Sequence, residues 1–245
     1  MHARPGGARI GTGLLAGLLL LLSMTARAGG LGVSPILLEF DARSPARALW
    51  LTNAGDHVLH GQVRVFRWTQ ENGEDRLTPT RELVVSPPMV EIAPGSQQLV
   101  RVIRATPYPA GEQAYRILVN ELPDTSRGEN LGLSFVMEFS VPVFVGDAGT
   151  PAQLSWNLRK DNDQVVLEAR NRGGTRAQVS AFALLDAHGK TLMQEPGLLG
   201  YALAGQLRRW TLKLPAQAAA DAQILQARIN GEPIRVDLRA HDATP

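Results

Sequence analysis

The sequence has 245 residues, no cysteine, and 25 Lys+Arg against 23 Asp+Glu. The missing cysteines exclude disulfides, thiolate metal sites and a cysteine nucleophile, so the fold must rest on core burial, which a chain of this length supplies. Arg4, Arg9 and Arg27 fall in a leader-like segment, and the remainder carries 22 basic against 23 acidic groups, without the basic excess of a nucleic-acid binder.

Residues 1–28 read as a secretory signal. Arg4 and Arg9 form a basic start, Leu14 to Leu22 an apolar stretch too short for a comfortable membrane span, and Ala26-Arg27-Ala28 a small-residue cleavage site. Export and cleavage near Ala28 are the expectation.

The remainder reads as strands. Val33 to Phe40 is apolar around Pro35, which predicts an edge strand. Ala48 to Thr52 ends at the turn residues Asn53-Ala54-Gly55-Asp56. Val63, Val65 and Trp68 precede Asn72-Gly73, a tight-hairpin signal. Leu83 to Val85 and Met89 to Ile92 flank Pro87-Pro88, and Gln98 to Arg104 and Ala114 to Leu122 follow Pro/Gly turns. With the strand that comes next, these short strands at regular spacing predict an immunoglobulin-like sandwich over 29–147.

That last strand, Leu131 to Val141, carries large apolar residues at every odd position and mostly small or polar ones between. Period two places Leu131, Leu133, Phe135, Met137, Phe139 and Val141 on one face. The run would span roughly 35 Å, about twice an ordinary strand. An apolar face normally packs on its own core, but this length leaves apolar surface over for another molecule.

Gly146 to Pro151 reads as a linker, after which the pattern restarts. Leu154 to Leu158, Val165 to Ala169, Gln178 to Leu185, Leu207 to Leu214, Ile224 to Ile229 and Ile234 to Leu238 predict a second, smaller all-β domain over 148–245, with one helical turn in the alanine-rich 216–222 segment. Catalytic signals are absent: no Gly-x-Ser-x-Gly elbow, no His-Glu-x-x-His and no phosphate loop. His57 and His60 lie three apart beside a turn, poor geometry for a shared metal, and Asp161-Asn162-Asp163 suits a hairpin better than calcium. The expectation is a protein that is not an enzyme and has no cofactor, metal or nucleotide.

Three segments in this order resemble the periplasmic chaperones of the chaperone–usher pilus pathway: Ser86 to Val102 with its Pro-Pro, Pro-Gly and Val-Arg, Tyr115 to Pro123, and then the alternating strand. The resemblance implies two immunoglobulin-like domains in a boomerang arrangement and a donor strand lent to an incomplete pilus or fimbrial subunit before delivery to an outer-membrane usher. Its subunit-facing set would be Leu133, Phe135 and Met137, with Leu131 and Phe139 at the ends and Val141 and Val143 in the chain's own core. Familiar members anchor the subunit's C-terminal carboxylate with an arginine in the first strand and a lysine in the donor strand. Here Val33 to Phe40 has no basic residue, and Pro142 stands about where the lysine would be. The chain therefore resembles the divergent branch associated with spore-coat-U-type subunits, and Arg101 and Arg116 become the anchor candidates, against a competing reading as internal ion pairs. The exposed apolar edge also suggests self-association of the free protein. A second reading, a secreted adhesion or carbohydrate-binding sandwich, requires aromatic residues converging on one face, whereas Trp50, Trp68, Trp156 and Trp210 are scattered.

Overall fold

The computed structural model describes residues 30–123, 136–147 and 149–238. Strands β1 (Leu31–Ser34), β3 (Ala46–Asn53), β8 (Gln97–Arg104) and β6 (Leu83–Ser86) form sheet I in the order β1-β3-β8-β6. Sheet II runs β2 (Leu38–Phe40), β10 (Glu138–Val145), β9 (Gln113–Leu122), β4 (Leu59–Glu71), β5 (Glu74–Pro79), and β7 (Met89–Ile92) also pairs with β4. Alternation drives the packing: in β3, Leu49, Leu51 and Asn53 are buried while Ala46, Ala48 and Trp50 are exposed. Leu49, Leu51, Val100 and Val102 of sheet I share one core with Val63, Ile117, Val119, Val141 and Val143 of sheet II.

The single edge strand expected over Val33–Phe40 is two. β1 pairs antiparallel with β3 in sheet I, the chain crosses over at Pro35–Leu37, and β2 joins sheet II parallel to β10. Both lie at sheet edges, so Pro35 interrupts no ladder. The Asn72-Gly73 turn is a two-residue hairpin with φ of 53° and 83°, joining β4 to β5. β5 itself was not expected, because it is mostly polar and exposed throughout.

Past Gly149 a second sandwich follows. β11 (Leu154–Asp161), β12 (Gln164–Asn171) and β15 (Leu207–Leu212) make one sheet, and β14 (Thr191–Ala202), β13 (Ala177–Leu185), β16 (Ile224–Ile229) and β17 (Glu232–Asp237) make the other. Its core holds Leu167, Phe182, Leu184 and Leu225, with Trp156 and Trp210 stacked at 6.4 Å. The helical turn α1 covers Ala216–Ala219. A buried asparagine closes a strand end in each half. Asn53 bonds the His57 and Ile92 carbonyls, and Asn171 those of Thr175 and Ala202. Bonding satisfies the buried amides.

The halves meet in a third, smaller apolar cluster of Trp68, Ala114 and Phe144 from the first and Tyr201 and Leu203 from the second. Gln70 crosses this joint: its amide donates to the Tyr201 carbonyl (2.7 Å), and its carbonyl accepts the Leu203 N–H (3.0 Å). Arg176 reaches back to pair with Glu39 and Glu112. The hairpin tip also packs against β15, where the Gly73 carbonyl accepts the Arg209 N–H at 2.8 Å.

Candidate functional site: the edge of β10 beside Arg116

β10 is flanked on both sides only along Val143–Val145, where β2 lies against it. From Glu138 to Pro142 only β9 pairs with it, and among the described residues no strand covers the other edge. The Glu121 N–H bonds the Met137 carbonyl at 2.9 Å. Ladder alternation then turns the main-chain groups of Phe139 and Val141 toward β9 and those of Glu138 and Ser140 outward. Pro142 fits this phase, since its missing N–H belongs on the outward side.

The two faces of the strand have different surroundings. Val141 and Val143 lie in the core of the first sandwich, Phe139 packs partly against it, and Met137 is 44% exposed. The odd-numbered apolar face therefore leaves the chain's own core between residues 139 and 137. Leu131, Leu133 and Phe135 lie outside the described residues. The described strand runs from Glu138 to Val145. The even-numbered face looks toward the second half, where Phe144 joins the interface cluster.

Arg116 sits on β9 directly opposite Pro142. Its guanidinium lies 3.8 Å from the Trp68 ring centroid and 5.8 Å from that of Tyr201, and one N–H reaches the Ser140 carbonyl at 3.4 Å. No carboxylate pairs with it among the described residues. Burial pushes its pKa down, with Asp75 and Tyr201 acting in the opposite sense and Arg208 reinforcing the decrease. This cation is half-buried against two aromatic rings and has no acidic partner among the described residues, and a guanidinium is the planar fork that suits a carboxylate. Arg176 is its counterpart, stacked at 3.8 Å on Phe144 but already engaged by Glu39 and Glu112.

Arg101 is placed elsewhere. It lies on β8 in sheet I, flanked by Ala48 and Ser86 on the exposed face, between the buried Val100 and Val102. The structure does not bring it together with Arg116. Among the described residues no three His, Asp or Glu side chains converge as a metal site requires. The tryptophans do not form a common face: Trp50 is exposed on sheet I, Trp68 lies in the joint, and Trp156 and Trp210 are buried in the second core. The joint residues Trp68, Tyr201 and Gln70 carried no functional signal in the sequence, because contacts between 68 and 201 are set only by the tertiary fold.

Residues 30–151 match the N-terminal domain of the pili and flagellar-assembly chaperones, the PapD N-terminal domain. No curated protein matches the chain. A solved chain of the CsuC–CsuE chaperone–tip adhesion subunit pre-assembly complex, from archaic chaperone-usher Csu pili of Acinetobacter baumannii, is 25% identical. That match has a TM-score of 0.66 and covers 84% of this chain and 97% of that one. The Salmonella enterica SafA pilin–SafB chaperone complex gives 15% identity, 85% and 96% coverage and a TM-score of 0.60. The E. coli chaperone DraB gives 16%, 86% and 97%, and 0.57. These last two similarities concern the fold.

Proposed function

Residues 30–151 place this chain among the pili and flagellar-assembly chaperones, and from that premise we propose that it is a periplasmic chaperone acting on pilus or fimbrial subunits by donor-strand complementation. The mature protein would begin after cleavage near Ala28 and divide into units 29–147 and 148–245. Its partners would be spore-coat-U-like subunits, and it would deliver them to an outer-membrane usher.

The observation that carries the reading is the open edge of Glu138–Pro142, continued by an apolar face that has left its own core at Met137. Strand addition of the kind known for chaperone–pilin pairs needs both features: main-chain groups to set register and alternate side chains to fill a groove. Leu133, Phe135 and Met137 would enter the subunit, with Leu131 and Phe139 at the ends. Each buried side chain contributes about 1.5–3 kcal/mol as an upper bound. That exceeds what association costs only if several are buried together, so no nucleotide is required. Arg116 would receive the subunit's C-terminal carboxylate. Arg101, on the outer face of the other sheet, would serve as an anchor only for a chain running over that face.

Co-purification from the periplasm with small exported proteins encoded nearby tests the reading. Wild type is expected to bring down a one-to-one complex that is lost in folded Phe135→Asp and Arg116→Ala variants. A Phe135→Asp protein that unfolds would return the strand to the core and overturn the assignment.

A further inference from the structure

Resting on the reading of Arg116 as the carboxylate anchor, we propose that Trp68, Asp75 and, from the other half of the chain, Tyr201 are positioning residues that hold its guanidinium for a free main-chain carboxylate. An arginine side chain turns about several bonds, and a bidentate grip on a carboxylate requires its plane to be fixed. The Trp68 ring, with its centroid 3.8 Å from the guanidinium carbon, restricts the group's movement, and the 3.4 Å contact to the Ser140 carbonyl is its one hydrogen bond among the described residues.

Trp68 is itself held from several sides. Its indole N–H donates to Asp75 Oδ1 at 3.0 Å, and that oxygen also accepts from Gln70 Nε2 at 2.9 Å. Tyr201 packs edge-on at 5.5 Å and 85°, and Phe144 lies at 6.0 Å. Gln70 fastens the same assembly to the Tyr201 carbonyl and the Leu203 N–H. The Asp75 carboxylate faces Arg208 at 3.6 Å and acts on Arg116 through space, with no ion pair between them among the described residues. Three aromatic rings thus stand between two arginines. Arg176 is neutralised by Glu39 and Glu112, and Arg116 is left for an incoming anion. The carboxyl-terminal half, which carries Tyr201, becomes part of the anchor without touching the ligand.

The test uses the full chain and two minimal probes, N-acetylglycine and N-acetylglycinamide, titrated by NMR on the backbone amide signals around Arg116 and Ser140. Wild type is expected to respond saturably to the acid and not to the amide, and Arg116→Ala to lose that preference. Trp68→Leu, Tyr201→Ala and Asp75→Ala should each weaken acid binding at least about fivefold. Tyr201→Phe, which keeps the ring, and Asp75→Asn, which keeps an acceptor for the indole, should stay near wild type. Asp75→Ala keeps the test decisive if Trp68→Leu does not fold. Wild type without preference for the acid, or Arg116→Ala with it, defeats the anchor reading itself. Loss in Arg116→Ala with full preference retained in Tyr201→Ala and Asp75→Ala leaves the anchor standing and overturns the positioning role.

Discussion

Ser140→Pro isolates the main-chain part of the proposed mechanism. Ser140 is exposed, pairs with Leu118, and turns its N–H away from β9 toward the uncovered edge. Removing that N–H deletes no bond of the free protein, and an edge strand accepts proline, as Pro142 two residues on demonstrates. The expected change in folding stability is therefore within about 1 kcal/mol. In the complex the same N–H would meet a subunit carbonyl, and leaving that carbonyl buried and unpaired costs about 1–3 kcal/mol, roughly 5- to 150-fold in affinity. Val141→Pro is the contrast: Val141 faces Ile117 in the ladder and is 3% exposed. That variant should lose about 3 kcal/mol or more of stability. Urea unfolding gives the stabilities. The rate at which a purified complex hands its subunit to excess tagged wild-type protein reports the affinity. Equal destabilisation by both prolines, or unchanged hand-over in Ser140→Pro, would refute the reasoning.

Two further expectations concern the frame around the site. Gln70→Ala strands the Tyr201 carbonyl and the Leu203 N–H inside the joint, which should cost about 2–4 kcal/mol in urea unfolding. A loss below about 0.5 kcal/mol would mean that the joint is not held by this amide. Glu168 accepts Arg159 Nε at 3.0 Å and Arg209 Nε at 2.7 Å; burial raises its pKa, but the two arginines outweigh it and hold the carboxyl below the usual range. A carboxyl depressed on folding adds stability above its unfolded pKa and loses it as pH falls through the folded value. The melting temperature of wild type should accordingly fall more steeply than that of Glu168→Gln below about pH 4, and parallel pH profiles would contradict the assignment.

Alternation made most of the first sandwich legible. Leu49 and Leu51, Val100 and Val102, and Val141 and Val143 each point inward as period two requires. β5 and β14 escaped because edge strands with solvated faces carry no such period: Glu74–Pro79 is exposed throughout, and half of Thr191–Ala202 is exposed. The two arginine candidates could not be told apart in the sequence, for a physical reason. Arg101 stands between Val100 and Val102, and Arg116 between Tyr115 and Ile117. Local pattern gives both the same instruction, to face away from the core. What separates them is what covers that outer face. Solvent covers sheet I, whereas the second half of the chain brings Tyr201 over sheet II, and no sequence neighbour of either arginine encodes that difference.

An open edge invites aggregation, yet the proposed function requires one. The segment from Glu138 to Pro142 reconciles these demands through its own residues. A charged Glu138, bonded to Asn120, and a Pro142 with no N–H bracket the single outward-facing serine between them, which are the devices that blunt strand edges elsewhere. Of the outward-facing acceptors, the Ser140 carbonyl is met by Arg116 at a long 3.4 Å. A contact of that length is weak. On the proposed reading, a subunit carboxylate arriving at Arg116 would draw the guanidinium to itself and release the Ser140 carbonyl for strand pairing. Anchor and edge would then act in sequence, so that only a chain presenting the correct terminus finds the edge fully available.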